Sequence, residues 1–157
     1  MKKTISVILF LIMLFTTAIP SYAESSVRNS DDSSIKFFSD GSYITTTIQI
    51  ESETSTRATS TKTGSKIDRF YDSDGVLQWT ITLKGTFTYN GSTSTCTNSE
   101  VSYSVSDSKW KVKEAVASKS GSSAIGDFVV KRYTFLIPVQ TESVHMTLTC
   151  SANGTLS

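Results

Sequence analysis

A long alternation of apolar and polar residues between Gly75 and Ser92 constrains this chain more than any other feature. Its apolar positions are Leu77, Trp79, Ile81, Leu83, Phe87 and Tyr89, and the positions between them hold mainly glutamine, threonine and lysine. Successive side chains of a β-strand point to opposite faces, so this period of two predicts one long strand with a buried face and a threonine-rich face. Such a strand needs another layer against its apolar face, and the alternation therefore predicts a layered β-protein.

Shorter alternating segments and turn signals fill most of the remaining chain. The segments are 44–50, 67–71, 101–105, 110–116, 128–137 and 144–150, and Gly follows Asp, Asn or Ser at 40–41, 74–75, 90–91, 120–121 and 153–154. This spacing predicts an all-β fold, an antiparallel two-layer β-sandwich of about seven or eight strands, with a β-barrel as the alternative. The sandwich is immunoglobulin-like only in architecture, because Leu148 stands where that family's tyrosine is expected before the second cysteine.

Residues 52–66 alternate weakly and present almost no apolar face. This pattern predicts either an exposed edge strand or a loop. In an edge strand, Lys62 and Lys66 would discourage pairing with a second chain.

The first 23 residues have the features of a secretory signal peptide. Lys2 and Lys3 precede an apolar run, and small residues end the segment at Ala23. We predict cleavage after Ala23 and a secreted, extracellular protein with no membrane partner after cleavage. An uncleaved anchor is the alternative, but the apolar run is shorter than the ~20 residues that a membrane span needs.

The remainder is predicted to be one domain with a short leading arm. Residues 24–34 are polar and aperiodic, which predicts a flexible N-terminal arm, and residues 35–157 form the predicted β-sandwich domain. The chain has 15 Lys and Arg and 14 Asp and Glu, and Lys2 and Lys3 lie in the leader, so 13 basic and 14 acidic residues remain. A nearly neutral mature chain predicts no nucleic-acid partner.

Two cysteines in a predicted secreted chain suggest one disulfide. Asn90-Gly91 predicts a two-residue hairpin turn, which places Cys96 opposite Gly85 on the buried face. Cys150 shares the phase of the apolar Met146 and also points inward. The sequence therefore predicts a buried bridge between Cys96 and Cys150, with two free thiols as the alternative.

The same register predicts an irregularity in the next strand. A regular ladder would place Val101, Tyr103 and Val105 on the polar face. One extra residue within Thr97–Glu100 would return Tyr103 to the buried face, opposite Trp79. We therefore predict a β-bulge in that segment.

No motif indicates a catalytic residue, a metal ligand or a cofactor site. Asp72 to Gly75 begins like a calcium loop, but Leu83 occupies the position of the required Glu, so a hairpin turn with Asx hydrogen bonds is predicted. The single histidine, His145, falls on the outer face and has no recognisable nucleophile beside it.

The aspartates fall mostly at predicted turns. They include Asp40, Asp72, Asp74 and Asp107. A glycoside hydrolase needs two carboxylates across a cleft, and no spacing in this chain indicates such a pair. A small secreted carboxylate-dependent hydrolase is therefore kept as an alternative function.

Two aromatic residues are candidates for stacking on a ligand. Trp110 lies between two lysines, and Tyr133 lies in the segment KRYTF. Trp110 has a competing interpretation, in which it fills the core together with Val112. The predicted function is non-catalytic binding of a glycan or an extracellular protein at or near the cell surface; a secreted toxin or bacteriocin-like factor is a further alternative.

Three segments resemble an uncharacterised family of small secreted proteins from Gram-positive, gut-type clostridia, catalogued as a domain of unknown function. They are LQWTITLKGTFTYNGSTSTC at 77–96, SKWKV at 108–112 and IPVQTESVHMTLTCSANGTLS at 137–157. The resemblance covers about half of the mature chain. It implies a signal peptide and a β-rich domain, and it supplies no catalytic residues.

Overall fold

The computed structural model describes residues 32–56 and 58–157, and this part of the chain consists of strands and turns. The strands are β1 (Asp32–Phe37), β2 (Tyr43–Ser55), β3 (Ser60–Tyr71), β4 (Leu77–Tyr89), β5 (Ser94–Val105), β6 (Trp110–Ser120), β7 (Ser123–Thr134) and β8 (Ile137–Thr149). The predicted signal peptide, its cleavage after Ala23 and arm residues 24–31 lie outside the described residues. Residues 32–34, which were predicted to belong to the arm, lie in β1.

The strands form two antiparallel sheets in which every strand lies beside its neighbours in sequence. The first sheet has the order β1-β2-β3-β4-β5 and the second the order β6-β7-β8. The predicted sandwich is confirmed. The barrel alternative is wrong, because the two described sheets do not close on each other. A plain meander also lacks the Greek-key connections of immunoglobulin domains. The chain therefore shares only the two-layer arrangement with those domains.

The long alternation forms the centre of the core, as predicted. Trp79, Ile81, Leu83 and Phe87 of β4 are fully buried, and they face buried side chains of the second sheet: Ala124, Phe128, Val130, Met146 and Leu148. The ring of Phe70 stacks on Trp79 with centroids 5.1 Å apart. The threonines of β4 and Lys84 lie on the outer face, so the apolar face of β4 packs the first sheet against the second.

The β4–β5 hairpin differs from the predicted two-residue turn. Tyr89 pairs with Ser94, and Cys96 lies opposite Phe87 instead of Gly85. The side-chain oxygen of Asn90 accepts the backbone N–H groups of Ser92 and Thr93, which holds a longer loop, and the N–H of Gly91 donates to the carbonyl of Ala152. This loop shifts the register by two residues, so the buried orientation predicted for Cys96 survives.

The predicted β-bulge is present in β5. Thr86 pairs with Asn98 while Phe87 pairs with Cys96, so Thr97 is the extra residue. Tyr103 returns to the core-facing parity, but it lies opposite Ile81 instead of Trp79 because of the longer hairpin loop. It remains about half exposed, since β5 is at the edge of its sheet.

The interpretation of 52–66 as an edge strand or loop is wrong for β3. This strand pairs with β2 on one side and β4 on the other. Lys62 is 8% exposed, and its ammonium donates to the carbonyl of Gly154 at 2.6 Å and lies 3.3 Å from a carboxylate oxygen of Glu53. Lys66 donates to the carbonyl of Thr147 at 3.0 Å. Both lysines therefore join β3 to the C-terminal part of the chain instead of repelling a second molecule.

The segment 128–137, predicted as one strand, is divided by a tight turn. β7 ends at Thr134 and β8 begins at Ile137, with Phe135 and Leu136 between them. Neither residue is a usual turn former, so the sequence pattern did not reveal the turn.

The predicted bond between the cysteines is not formed in this structure. Cys96 and Cys150 are both buried free thiols. Burial raises the pKa of the Cys96 thiol. The backbone N–H groups of the two residues donate to adjacent carbonyls, those of Gly121 and Ser122, so the β6–β7 turn holds the two cysteines at the same end of the sandwich.

Candidate functional site

One end of the sandwich carries a polar cavity, which we call the loop-end pocket. Its volume is about 300 Å³. The residues that line it include Asp40, Asp72, Asp74, Asp107, Lys109 and Arg132, with Phe70 and Trp110 deeper in the wall. In an antiparallel meander, the turns that follow odd-numbered strands emerge at the same end. The β1–β2, β3–β4 and β5–β6 turns therefore meet there, beside the base of the β7–β8 hairpin.

Gln78 connects the elements that form the pocket. A bulge between β3 and β4 leaves it as the extra residue, and its side chain is buried. Its amide nitrogen donates to the Asp72 carboxylate at 2.7 Å, and its amide oxygen accepts the indole N–H of Trp110 at 3.2 Å. Its backbone carbonyl accepts the N–H of Ser106 at 2.8 Å. One bulge thus fixes the β3–β4 and β5–β6 turns relative to each other.

The β3–β4 turn has the Asx geometry that was predicted for it. The Asp72 carboxylate accepts the backbone N–H groups of Asp74 and Val76 at 3.1 and 2.8 Å. Gly75 has a φ of 78°, which a residue with a side chain adopts at a cost. The turn interpretation is confirmed, and the Asp72 carboxylate is occupied by the turn and Gln78.

Asp40 has a similar role in the β1–β2 turn. Its carboxylate accepts the backbone N–H of Ser42 at 3.0 Å and the hydroxyl of the same residue at 2.6 Å. These hydrogen bonds lower the pKa of the Asp40 carboxyl. A Cβ atom on Gly41 would lie 3.2 Å from the Cβ of Ser73, so the β1–β2 and β3–β4 turns are in close contact.

Two polar groups of the pocket have no partner among the described residues. The buried Nε of Arg132 makes no hydrogen bond there, and the structure shows none for the Asp74 carboxylate. Asp107 uses one oxygen to accept the N–H of Lys109 at 2.9 Å. The pocket therefore offers hydrogen-bond acceptors and donors to a ligand. The turns that carry these groups are already held in place by their own hydrogen bonds.

The two predicted stacking residues do not meet in this pocket. Trp110 is 3% exposed and belongs to the core cluster with Val112 packed against it, so its ring offers no open face to a ligand. The competing core interpretation of Trp110 is confirmed. Tyr133 lies partly exposed on the outer face, with the ammonium groups of Lys111 and Lys113 at 5.6 and 5.4 Å from its ring centre.

His145 lies on the outer face, as predicted, but the structure gives it two polar neighbours. Its Nδ1 is 2.7 Å from the Asp127 carboxylate, and its Nε2 is 3.4 Å from the hydroxyl of Thr147. The order of these groups is similar to that of a catalytic triad. The group lies on an open sheet face away from the loop-end pocket, however, and the long contact to Thr147 is a poor hydrogen bond.

The described residues contain neither a group of metal ligands nor a membrane-spanning helix. Across residues 32–56 and 58–157, no three His, Cys, Asp or Glu side chains are grouped in a way that could hold a metal ion. The same residues contain no helix of the length and apolarity that a membrane crossing requires.

Sequence reasoning missed the convergence of the turn aspartates and the contributions of Gln78, Lys109 and Arg132. The aspartates had a usable signal, because a consecutive meander brings every second turn to one end. Arg132 had none, since only the packing of the second sheet places it opposite the β3–β4 turn.

Comparison with known proteins gives no relative to which this site can be matched. The chain matches no protein-family model, no curated protein and no solved structure.

Proposed function

We propose that the protein is a non-catalytic, extracellular binding protein that holds a sugar unit of a cell-surface glycan in the loop-end pocket. The observation that carries the proposal is a cavity of about 300 Å³ with both carboxylate acceptors and cationic donors at its wall. Each sugar hydroxyl both donates and accepts a hydrogen bond, so it requires partners of both kinds. Small-molecule sites are typically pre-formed, and the turn hydrogen bonds supply that rigidity here.

Two of the four aspartates that line the pocket, Asp40 and Asp72, are poor candidates for the acid of a hydrolase. A glycosidase needs one carboxyl with a raised pKa that donates a proton to the leaving group. Asp40 has a lowered pKa, and Asp72 is committed to the β3–β4 turn and to Gln78. Asp68 has a pKa raised by burial, but it lies on β3 beside Thr46 and does not line the pocket.

The glycan proposal predicts weaker binding when charged side chains that line the pocket lose their charge. On an array of cell-wall and cell-surface glycans, Asp74→Asn and Lys109→Gln should each weaken retention of the protein about tenfold, the usual effect of losing a hydrogen bond to a charged group. Asp127→Asn, which removes an exposed aspartate distant from the pocket, should bind like the unmodified protein. If Asp74→Asn and Lys109→Gln are retained as strongly as the unmodified protein, the pocket is not the glycan-binding site. Release of shorter sugars from a bound glycan would establish the hydrolase alternative.

We also propose that the secreted protein joins Cys96 to Cys150. The adjacent hydrogen bonds to the β6–β7 turn support this pairing. In the reaction, each thiol loses its proton and the pair gives two electrons to an extracellular disulfide oxidant, which leaves one S–S bond. The bond must form before the sheets close, because both thiols are buried in the folded domain.

Mass spectrometry of the secreted protein tests the pairing. After denaturation and alkylation without reductant, both cysteines should remain unmodified, and reductant should make both reactive. The Cys150→Ser variant serves as the control, because its Cys96 should be alkylated without reductant. Alkylation of both cysteines in the unmodified protein without reductant would exclude the bond.

A further inference from the structure

The β7–β8 hairpin ends in a tight turn of unusual composition. Thr134 pairs with Ile137, and the two residues between them, Phe135 and Leu136, have φ angles of 53° and 84°. Positive φ at both central positions is the geometry of a type I′ turn, for which Asn-Gly is the preferred sequence. Large side chains adopt this region only under strain.

The side chains of the strained residues are barely covered by the rest of the described chain. Phe135 is 94% exposed and Leu136 is 89% exposed. Ile137 and Val139 beside them are also largely exposed. We call residues 135–139 the apolar tip. Backbone strain together with exposed apolar side chains indicates a segment that contacts another molecule.

A cationic surface lies directly behind the apolar tip. Lys111 and Lys131 are paired across β6 and β7, and Lys113 is the bulge residue of β6. The ring of Tyr133 lies within cation–π distance of Lys111 and Lys113. We call these four residues the lysine–tyrosine platform. The carboxylates of the loop-end pocket lie on the opposite side of the hairpin, beside the inward-facing Arg132.

We propose that the apolar tip inserts into the surface of a bilayer rich in anionic phospholipid, while the lysines of the platform bind the lipid phosphates. Apolar side chains enter the outer part of the acyl region, tyrosine favours the headgroup level, and lysines near the surface are attracted to anionic lipid. The positive charge of the platform favours anionic lipid as the partner, because an apolar groove on a protein would offer the lysines no anionic group. The tight turn also brings little unpaired backbone into the membrane.

Binding to a membrane surface is separate from the proposed glycan binding and changes one expectation from the sequence. The sequence predicted no membrane partner after removal of the leader, and residues 32–56 and 58–157 contain no helical segment that could cross a membrane. A hairpin that enters only the surface of a bilayer requires no such segment.

Vesicle sedimentation with phosphatidylcholine vesicles, alone or with ~30% phosphatidylglycerol, tests the tip directly. The unmodified protein should bind the anionic vesicles at least about tenfold more tightly than the neutral ones, and added salt should reduce the difference. Phe135→Asn with Leu136→Gly should lose about tenfold or more of the affinity for anionic vesicles while keeping the turn. Val76→Ser, which removes another exposed apolar residue at the same end, is the matched control and should bind normally.

A second variant tests the platform. Lys111→Gln with Lys131→Gln should bind neutral vesicles as before and lose most of the preference for anionic ones. Failure of the unmodified protein to bind anionic vesicles would overturn the proposal, and so would equal binding by the Phe135→Asn/Leu136→Gly variant. Asp74→Asn should bind vesicles normally, so failure of the glycan proposal and failure of this one are distinguishable.

Discussion

Replacing Trp79 with alanine will destabilise the domain by about 3–5 kcal/mol. Trp79 is fully buried at the centre of β4, stacks on Phe70 and meets Trp110 edge-on with centroids 6.3 Å apart. The substitution removes the largest fully buried side chain and leaves a cavity between the two sheets. Domains of this size are typically stable by about 5–15 kcal/mol, so the loss is a large part of the total.

Urea unfolding followed by circular dichroism measures this effect. Thr82→Ala, on the outer face of the same strand, is the matched control and should cost less than about 1 kcal/mol. Trp79→Phe should fall between the two at about 1–2 kcal/mol, because it keeps most of the ring volume and removes an indole N–H that is buried without a partner among the described residues. A Trp79→Ala cost as small as that of Thr82→Ala would contradict the position of Trp79 in a shared core.

Replacing Phe135-Leu136 with Asn-Gly will stabilise the domain by about 2 kcal/mol. The two φ angles are 53° and 84°. Residues held in this region cost of order 1–3 kcal/mol each, whereas Asn and Gly adopt it readily. The lost side chains contribute little packing because both are almost fully exposed. We expect the melting temperature to rise by roughly 5 °C or more.

The double variant Phe135→Ser/Leu136→Ser distinguishes the relief of backbone strain from the removal of exposed apolar side chains. Serine is polar but has no special preference for positive φ, so this variant should gain much less stability than the Asn-Gly variant. Equal gains in thermal unfolding would show that backbone strain is not the cause. A stabilised variant that no longer binds anionic vesicles would link both results, since strained sites commonly exchange stability for function.

The apolar tip was hidden from sequence reasoning because its turn breaks the usual rule of composition. Local propensity gives Phe-Leu no tendency to form a type I′ turn, and the alternation from Phe128 to Ile137 predicted a continuous strand. The paired strands on both sides impose the turn instead. Conflicts between local preference and final structure are expected at functional sites.

Two lysines of β3 show a second limit of predictions from local sequence pattern. Lys62 and Lys66 lie in a segment without an apolar face, and nothing near them in sequence indicates that Lys62 is buried and Lys66 partly buried. Their partners are the carbonyls of Gly154 and Thr147, far along the chain. Only the packing of the C-terminal segment against β3 brings these carbonyls within reach.

The sequence by itself determined the two faces of β4, the all-β class, the two-layer arrangement and the need for an extra residue near Thr97. These features follow from alternation, because the direction of each side chain is a local property of an extended backbone. The tertiary structure alone decided the length of the Asn90 loop, the burial of Lys62, the grouping of pocket residues around Gln78 and the strained tip at Phe135. Those features depend on contacts between distant segments, which no local period encodes.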